Sequence, residues 1–433
     1  MTPQSPFMIL APIEPSREAE LRLLLDSMNE APGRVNPNNE LLPFAQFDAL
    51  HFARLLILDD KTTQDVLEHG VLIRTYPLYF ALLGDVDGDE NVFLDELVGR
   101  SPEGLRTLFS CCEGFEPDTD LLAWMKRHRS PPIANYINTR GRTVVRVREE
   151  AALREALEAH IASNATSLQG CSPGEIHDTL RTFVEAETSA GRLTLSDEAR
   201  TPLKWWIGNV LHLLGMPLLL LLVSPLLVFL LPFYVLILRH LEKTDPEVTP
   251  TVDQEYSDDL SRLEDHDVTN QFSAMGSLKP GFVRLLTIFG VLLTVDYAAR
   301  HIVWAGHLGR IRSIHFARWV FVAGTERVIF LSNYDGSLDS YMDDFINKTG
   351  FGLNAVFGSG LGYPTTNWLI RDGSADERKY KEYLRRHTIP TQVWYKAYPG
   401  LTAIDLARND RIRKGLKASN VSDQEAREWV ALL

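Results

Sequence analysis

The sequence predicts an α+β fold made of two tandem βαββαβ units packed as a pseudo-dimer, with a helical membrane hairpin inserted between them. Three observations carry this expectation. A long apolar run interrupts the chain from Trp205 to Leu238, blocks of sequence recur in the same order on either side of it, and each side alternates strand-like with helix-like patterning.

The recurrence is specific. Leu50-His51-Phe52-Ala53-Arg54-Leu55 matches Ile314-His315-Phe316-Ala317-Arg318-Trp319. Asp87-Gly88 and Asp335-Gly336 each close an apolar run just ahead of a helical pattern. Lys126-Arg127-His128 and Arg385-Arg386-His387 are followed at one spacing by Tyr136 and Tyr395.

Within the first unit, 7–13 reads as a strand and 17–29 as an amphipathic helix. Strands at 51–58 and 77–86 follow, then a helix at 90–98 and a last strand near 134–138. This order is that of a ferredoxin-like unit, with helices covering one face of an antiparallel sheet. Helices are also expected at 149–161 and around 175–190. The second unit repeats the pattern with strands near 269–275, 315–322, 328–333 and 391–398, and helices at 338–348, 376–386 and 404–416. The stretch 282–305 is apolar enough to suggest a membrane span, yet Arg284, Asp296 and Arg300 interrupt it. In the repeat register it takes the place of the first helix, as a domain helix resting against the bilayer.

The run from Trp205 to Leu238 contains no acidic or basic residue apart from His212. A straight helix of that length would measure roughly 50 Å, more than a hydrocarbon core of about 30 Å. Pro217, Pro225 and Pro232 interrupt backbone hydrogen bonding, Ser224-Pro225 falls near the middle, and Lys204, Arg239 and Lys243 flank the run. Positive charge at both ends favours a re-entrant or shallow hairpin with both ends in the cytoplasm, over one tilted, kinked span. Packing of the two units against one another demands the same. The expected divisions are a first unit at 1–165, a helical linker at 166–201, the membrane hairpin at 202–241, an acidic connector at 242–266 and a second unit at 267–433.

The formal net charge of -13 opposes a general nucleic-acid binder, which needs a basic face. Cys111, Cys112 and Cys171 form no metal-binding spacing. The glycine-rich stretch 350–362 lacks the strand–loop–helix context and the Lys-Ser/Thr of a phosphate loop. Membrane lipid is the expected partner, with a protein partner or a second copy of the chain as a further one.

Tandem units of this kind resemble the dimeric α+β barrel superfamily, which includes dye-decolorizing peroxidases, chlorite dismutase-like proteins and cofactor-free monooxygenases. The HFAR, YDGS and IPTQVWY blocks also resemble uncharacterised bacterial membrane-anchored proteins, which implies an inner-membrane location with the soluble units facing the cytoplasm. The peroxidase resemblance implies heme, with an Asp-Gly aspartate lying over it. Gly84 supplies the leading glycine of that motif in the first unit and Ser332 replaces it in the second; no histidine is assigned to the iron. The function implied is binding or oxidation of a hydrophobic small molecule in the cleft of the barrel. The alternative is a non-enzymatic module that binds lipid or protein at the membrane.

The candidate site residues are His51, Arg54 and Asp87 in the first unit and His315, Arg318 and Asp335 in the second. Strand alternation puts His and Ala on one face and Phe and Arg on the other. The functional reading turns the imidazole into a cavity as acid, base or ligand. The structural reading has it hydrogen-bonded across the sheet, Arg paired with a carboxylate such as Asp335, and each aspartate serving as a turn or helix cap. Retention in both units favours the structural reading, because fold constraints act on both copies. His128 and His387 suit basic helix ends, with a phosphate or lipid-headgroup role as the alternative. Trp368, Trp394, Tyr395 and Tyr398 suit a core or a membrane-facing rim.

Overall fold

The computed structural model describes residues 1–248, 252–303, 308–417 and 421–433. Residues 304–305 of the expected 282–305 helix and 249–251 of the acidic connector lie outside the described residues. The fold is mixed, with helices around two four-stranded antiparallel sheets and one long apolar helix.

The longer strands are β1 (Gln4–Pro12), β2 (Leu50–Leu58), β3 (Tyr79–Asp87), β4 (Ala134–Ile137), β5 (Thr269–Ser277), β6 (Ile314–Phe321), β7 (Arg327–Asp335) and β8 (Val393–Lys396). One sheet runs β1-β3-β2-β8 and the other β4-β6-β7-β5. Here the structure departs from expectation. Each last strand was expected in its own half, yet β4 pairs with β6 and β8 pairs with β2. Prolines mark where each crossing begins. After the first-half helices, Leu10 N donates to His128 O and Ser130 N to Met8 O, so the chain starts a ladder on its own β1. Pro131 and Pro132 then offer no backbone donor, the ladder stops, and the chain crosses to β6. The second half does the same. Ile389 N donates to Ser273 O on β5, Pro390 follows, and the chain crosses to β2.

The sheets face one another across a core of Met8, Leu10, Leu56, Leu83, Met275, Val320, Ile329 and Leu331. Helices cover the outer faces, so the central strands are buried on both sides and read as continuous apolar runs. Ladder register shifts at His51 and at His315, a bulge in each sheet. Strict alternation fails there. His51 packs against Phe316 and Tyr398, while Phe52 packs against His315 and stacks on Trp394.

The first-half helices are α1 (Glu18–Ser27), α2 (Glu90–Arg100), α3 (Pro102–Phe109), α4 (Leu121–Arg127) and α5 (Val144–Ser163). Next come α6 (Pro173–Ser189), α7 (Leu203–Thr244) and α8 (Phe282–His301), then α9 (Leu338–Phe357), α10 (Glu377–His387), α11 (Ala403–Leu416) and α12 (Asp423–Val430). The region expected to be a linker is more than a connector. Leu180 and Val184 of α6 join Leu153, Leu157, Ile412 and Trp429 in a separate helical core. Helix α9 runs past its expected end at 348, with non-helical backbone at Thr349, and takes in the start of the glycine-rich stretch.

The membrane segment also differs from expectation. It holds no turn: α7 is one 42-residue helix with Pro217, Pro225 and Pro232 inside it. Its ends are nevertheless fastened to one body. Near its start, Asn209 accepts from Arg300 Nε at 2.9 Å; past its end, Asp245 pairs with Arg284, so both anchors lie on α8. Those anchors are 36 positions apart along α7, about 54 Å, but 16 positions apart along α8, about 24 Å. The difference exceeds the reach of the side chains, so α7 bows away from α8. Its middle carries the prolines and a Ser224 hydroxyl that donates to Leu221 O at 2.7 Å, both devices that bend helices. Leu218 to Leu222 and Leu226 to Leu231 stand exposed on the bow. Helices α7 and α8 are both long and apolar enough to cross a membrane. Helix α8 buries Ile288, Leu292 and Ala299 against the second sheet and leaves Phe282, Leu285, Leu286 and Phe289 exposed. It is therefore a domain helix with an apolar outer face, as the sequence suggested.

Candidate functional site

The six residues singled out from the sequence form two matching sets, each tied into the backbone. Asp87 Oδ1 accepts from His51 Nε2 at 3.0 Å and Gln4 Nε2 at 3.3 Å, and its Oδ2 accepts from Val144 N at 2.8 Å. Asp335 Oδ1 accepts from His315 Nε2 at 2.7 Å and Thr269 Oγ1 at 3.0 Å, and its Oδ2 accepts from Ala403 N at 2.7 Å. Each aspartate thus ties its own strand end to the free first N–H of the helix that follows an exchanged strand, α5 or α11, where the helix dipole favours a carboxylate. The chain can turn directly after each aspartate because Gly88 and Gly336 adopt φ of 83° and 84°.

The arginines cross between the sheets. Arg318 donates to Phe7 O at 3.0 Å, to Gly84 O at 3.1 Å and to the Asp85 carboxylate. Arg54 donates to Phe272 O at 2.8 Å, to Ser273 Oγ at 2.9 Å, and to Ser332 O and Asn333 Oδ1. The carboxylate that serves Arg318 is therefore Asp85, where Asp335 had been suggested, and Arg54 meets a neutral amide in the matching place. Burial, with Arg318 close by, lowers the Arg54 guanidinium to about 9. Burial likewise lowers Arg318 and raises the Asp85 carboxyl.

This arrangement leaves little room for chemistry. The cavity between Arg54, Asp85, Arg318 and Asn333 measures about 10 Å³, space for one water. His51 is fully buried, and its Nδ1 lies 3.0 Å from the Tyr398 hydroxyl. His315 is 1% exposed and its Nδ1 has no hydrogen-bond partner among the described residues. Three positions after Tyr395 the chain has Tyr398; three after Tyr136 it has Thr139, too short to serve as that phenol does. A heme does not fit among these residues, since both aspartates spend both oxygens on the protein and the space between the arginines holds one water.

A different constellation has the features of a small-molecule site. Between the second sheet and α8, α9 and α10 lies a cavity of about 40 Å³, walled by Ala274, Ile288, Trp319, Val356, Leu384 and His387 among others. Among the described residues, Trp319 Nε1 and His387 Nε2 are both buried without a hydrogen-bond partner, and Tyr383 adds a phenol to the mostly apolar lining. His387 Nδ1 lies 2.8 Å from Tyr383 O. A carbonyl only accepts, so Nδ1 carries the proton and Nε2 presents a lone pair. Burial holds the imidazole below its usual range, which keeps it neutral, although Asp65 opposes this from 3.9 Å. The residues around the cavity therefore include one spare donor and one spare acceptor, the pair that a hydroxyl group would match.

Sequence reasoning weighed His387 as a basic helix end, with a phosphate or lipid-headgroup contact as the alternative, and passed over Trp319. One signal was available: Trp319 stands where the first half has Leu55, the one bulky departure within the matched HFAR block. Of the aromatic cluster, Trp394, Tyr395 and Tyr398 are core residues, while Trp368 is exposed under the Arg239 guanidinium. Comparisons with family models, curated proteins and solved structures find no match to this chain.

Proposed function

We propose that this chain is a monotopic membrane protein that holds a small hydroxyl-bearing apolar molecule between its second sheet and helices α8 to α10. The observation that carries the reading is a mostly apolar cavity beside Trp319 Nε1 and His387 Nε2, neither of which has a hydrogen-bond partner among the described residues. One wall belongs to α8, whose opposite face is apolar and exposed, so a molecule dissolved in the bilayer would have a short path to the site.

On this reading the scaffold is a duplicated ferredoxin-like unit of the dimeric α+β barrel kind, with its last strands exchanged. The matched His–Asp ties and the paired crossing arginines support it. The bowed α7 and the outer face of α8 dip into one leaflet of a bacterial inner membrane, with both halves on its cytoplasmic side. Binding is favoured over oxidation, because the repeated histidines, arginines and aspartates are committed to the fold.

Thermal unfolding of the detergent-solubilised full chain tests the site against methanol and ethanol and against hydrocarbons of matched size. The alkanols should raise the midpoint more than the hydrocarbons, and Ala274→Phe, which fills the cavity, should abolish the difference. Equal responses from the wild type and Ala274→Phe would refute the reading.

A further inference from the structure

Another cavity, of about 380 Å³, opens where β1, the exchanged strand β4, the start of α7 and the end of α8 meet. Its wall includes Glu90, Arg140, Trp205, Asp296 and Arg300. The charges there do not cancel. Glu90 is held by Arg129. Asp296 accepts from Asn135 N at 3.3 Å and lies 3.8 Å from His212, leaving one carboxylate to face two guanidinium groups. Arg140 donates to the carbonyls of Ala299 and Arg300 at the end of α8, which draws the two arginines together. Burial and the neighbouring Arg300 lower the Arg140 guanidinium, a sign of like charges held close in a half-dry place. Arg300 spends Nε on Asn209, and its Nη atoms have no hydrogen-bond partner among the described residues. Beside them stand Trp205 and Trp206, the latter 54% exposed, at the point where the apolar stretch of α7 begins. Indole rings favour that depth in a bilayer.

We infer that this groove binds the phosphate of a membrane phospholipid headgroup, with Arg140 and Arg300 as the phosphate clamp and Trp205 and Trp206 at the glycerol level. The excess positive charge calls for an anion, and planar guanidinium groups match phosphate oxygens. The volume suits a headgroup, and the adjoining apolar surfaces of α7 and α8 would receive the acyl chains. The inference rests on the membrane placement proposed above, and it uses a groove separate from the cavity under Trp319.

Native mass spectrometry of the full chain tests it after release from bilayers of phosphatidylglycerol or of an uncharged, phosphate-free glycolipid. The wild type should retain one phosphatidylglycerol and no glycolipid, and Arg300→Gln should retain at least tenfold less. Arg300→Lys should fall between them. Arg140→Gln also frees the last carbonyls of α8, so Arg300→Gln, which leaves those bonds in place, is the deciding variant. Circular dichroism checks that it folds. Equal retention by the wild type and Arg300→Gln, or equal retention of the glycolipid, overturns the proposal. Inorganic phosphate is the control for source. If it alone stabilises the wild type as fully as the lipid does, and Arg300→Gln removes that effect, the site takes free phosphate and the lipid assignment falls. Release of the chain from membranes by carbonate would refute the membrane placement itself; firm retention of the chain without retained lipid would refute this site alone.

Discussion

In the first half, the space between β1 to β3 and their helices is filled by Phe80, Leu108, Phe109, Trp124 and Met125. In the second half, the matching space holds Val328, Val356, Phe357, Tyr383 and Leu384, and a cavity remains. The correspondence follows from position. Phe80 and Val328 each stand seven residues before the Asp-Gly aspartate, Leu108 and Val356 each 21 after it, and Trp124 and Tyr383 each four before the helix-end histidine. Three of these changes remove volume, and the Leu55-to-Trp319 change adds a large side chain with a polar atom. The polar framework behaves differently. His51 and His315, Asp87 and Asp335, and Arg54 and Arg318 make nearly the same contacts in both halves. The comparison teaches that the most repeated residues hold the sheets together, while the capacity to bind arises where the halves diverge.

The two arginines give the sharpest way to break this comparison. Arg318→Met strands the Asp85 carboxylate inside the protein and should cost about 3–5 kcal/mol. Arg54→Met strands Asn333, Ser273 and backbone carbonyls, all neutral, and should cost about 1–3 kcal/mol. Denaturant midpoints would measure both, and an equal or reversed order would contradict the assignment of Asp85 as the carboxylate partner.

Asp87→Ala and Asp335→Ala should behave as a pair. Each removes a helix tie and a histidine partner, for about 2 kcal/mol. If only one of them lost stability, the two sets would not be equivalent.

A pH dependence should follow from Glu264, fully buried, whose carboxylate accepts from Thr391 N at 3.0 Å beside the second crossing segment. Burial raises its pKa from 4.5 to about 8. The folded state therefore binds the proton more tightly than the unfolded state. Its contribution is fully present below pH 4.5 and is lost as the pH rises to about 8, with a slope of up to about 1.4 kcal/mol per pH unit. Glu264→Gln should flatten the stability profile across that window; an unchanged slope would exclude Glu264 as its source.

The smallest effect expected comes from exchanging core residues between the halves. Val356→Leu installs the residue that the first half has at Leu108 and should stabilise by about 0.5–1 kcal/mol. Leu108→Val should destabilise by about 1 kcal/mol. Destabilisation by both would mean that the second interior is already closely packed.

Much of the architecture was legible in the sequence because its signals are local. Strand and helix periodicity located most of the elements, and the repeated blocks identified the residues of the framework. The exchange of β4 and β8 was not legible, because strand pairing is a non-local choice. Pro131, Pro132 and Pro390 mark where each ladder stops but do not name the strand to which the chain crosses. The shape of α7 was misread for a related reason. Three prolines suggested a turn, yet the helix continues through them and bends instead. The cavity was hidden because it depends on the volumes of side chains far apart in sequence, and no motif records a missing methylene.

The central claim, that each half completes the sheet of the other, is tested most directly by cross-linking. With Cys111, Cys112 and Cys171 replaced by serine, the pairs Ile137→Cys with Phe316→Cys and Phe52→Cys with Lys396→Cys place cysteines directly opposite one another on neighbouring strands. Both pairs should form intramolecular disulfides in the full chain. Failure of both, together with cross-linking of Ile137→Cys to a cysteine in β1, would contradict the exchange and return each last strand to its own half.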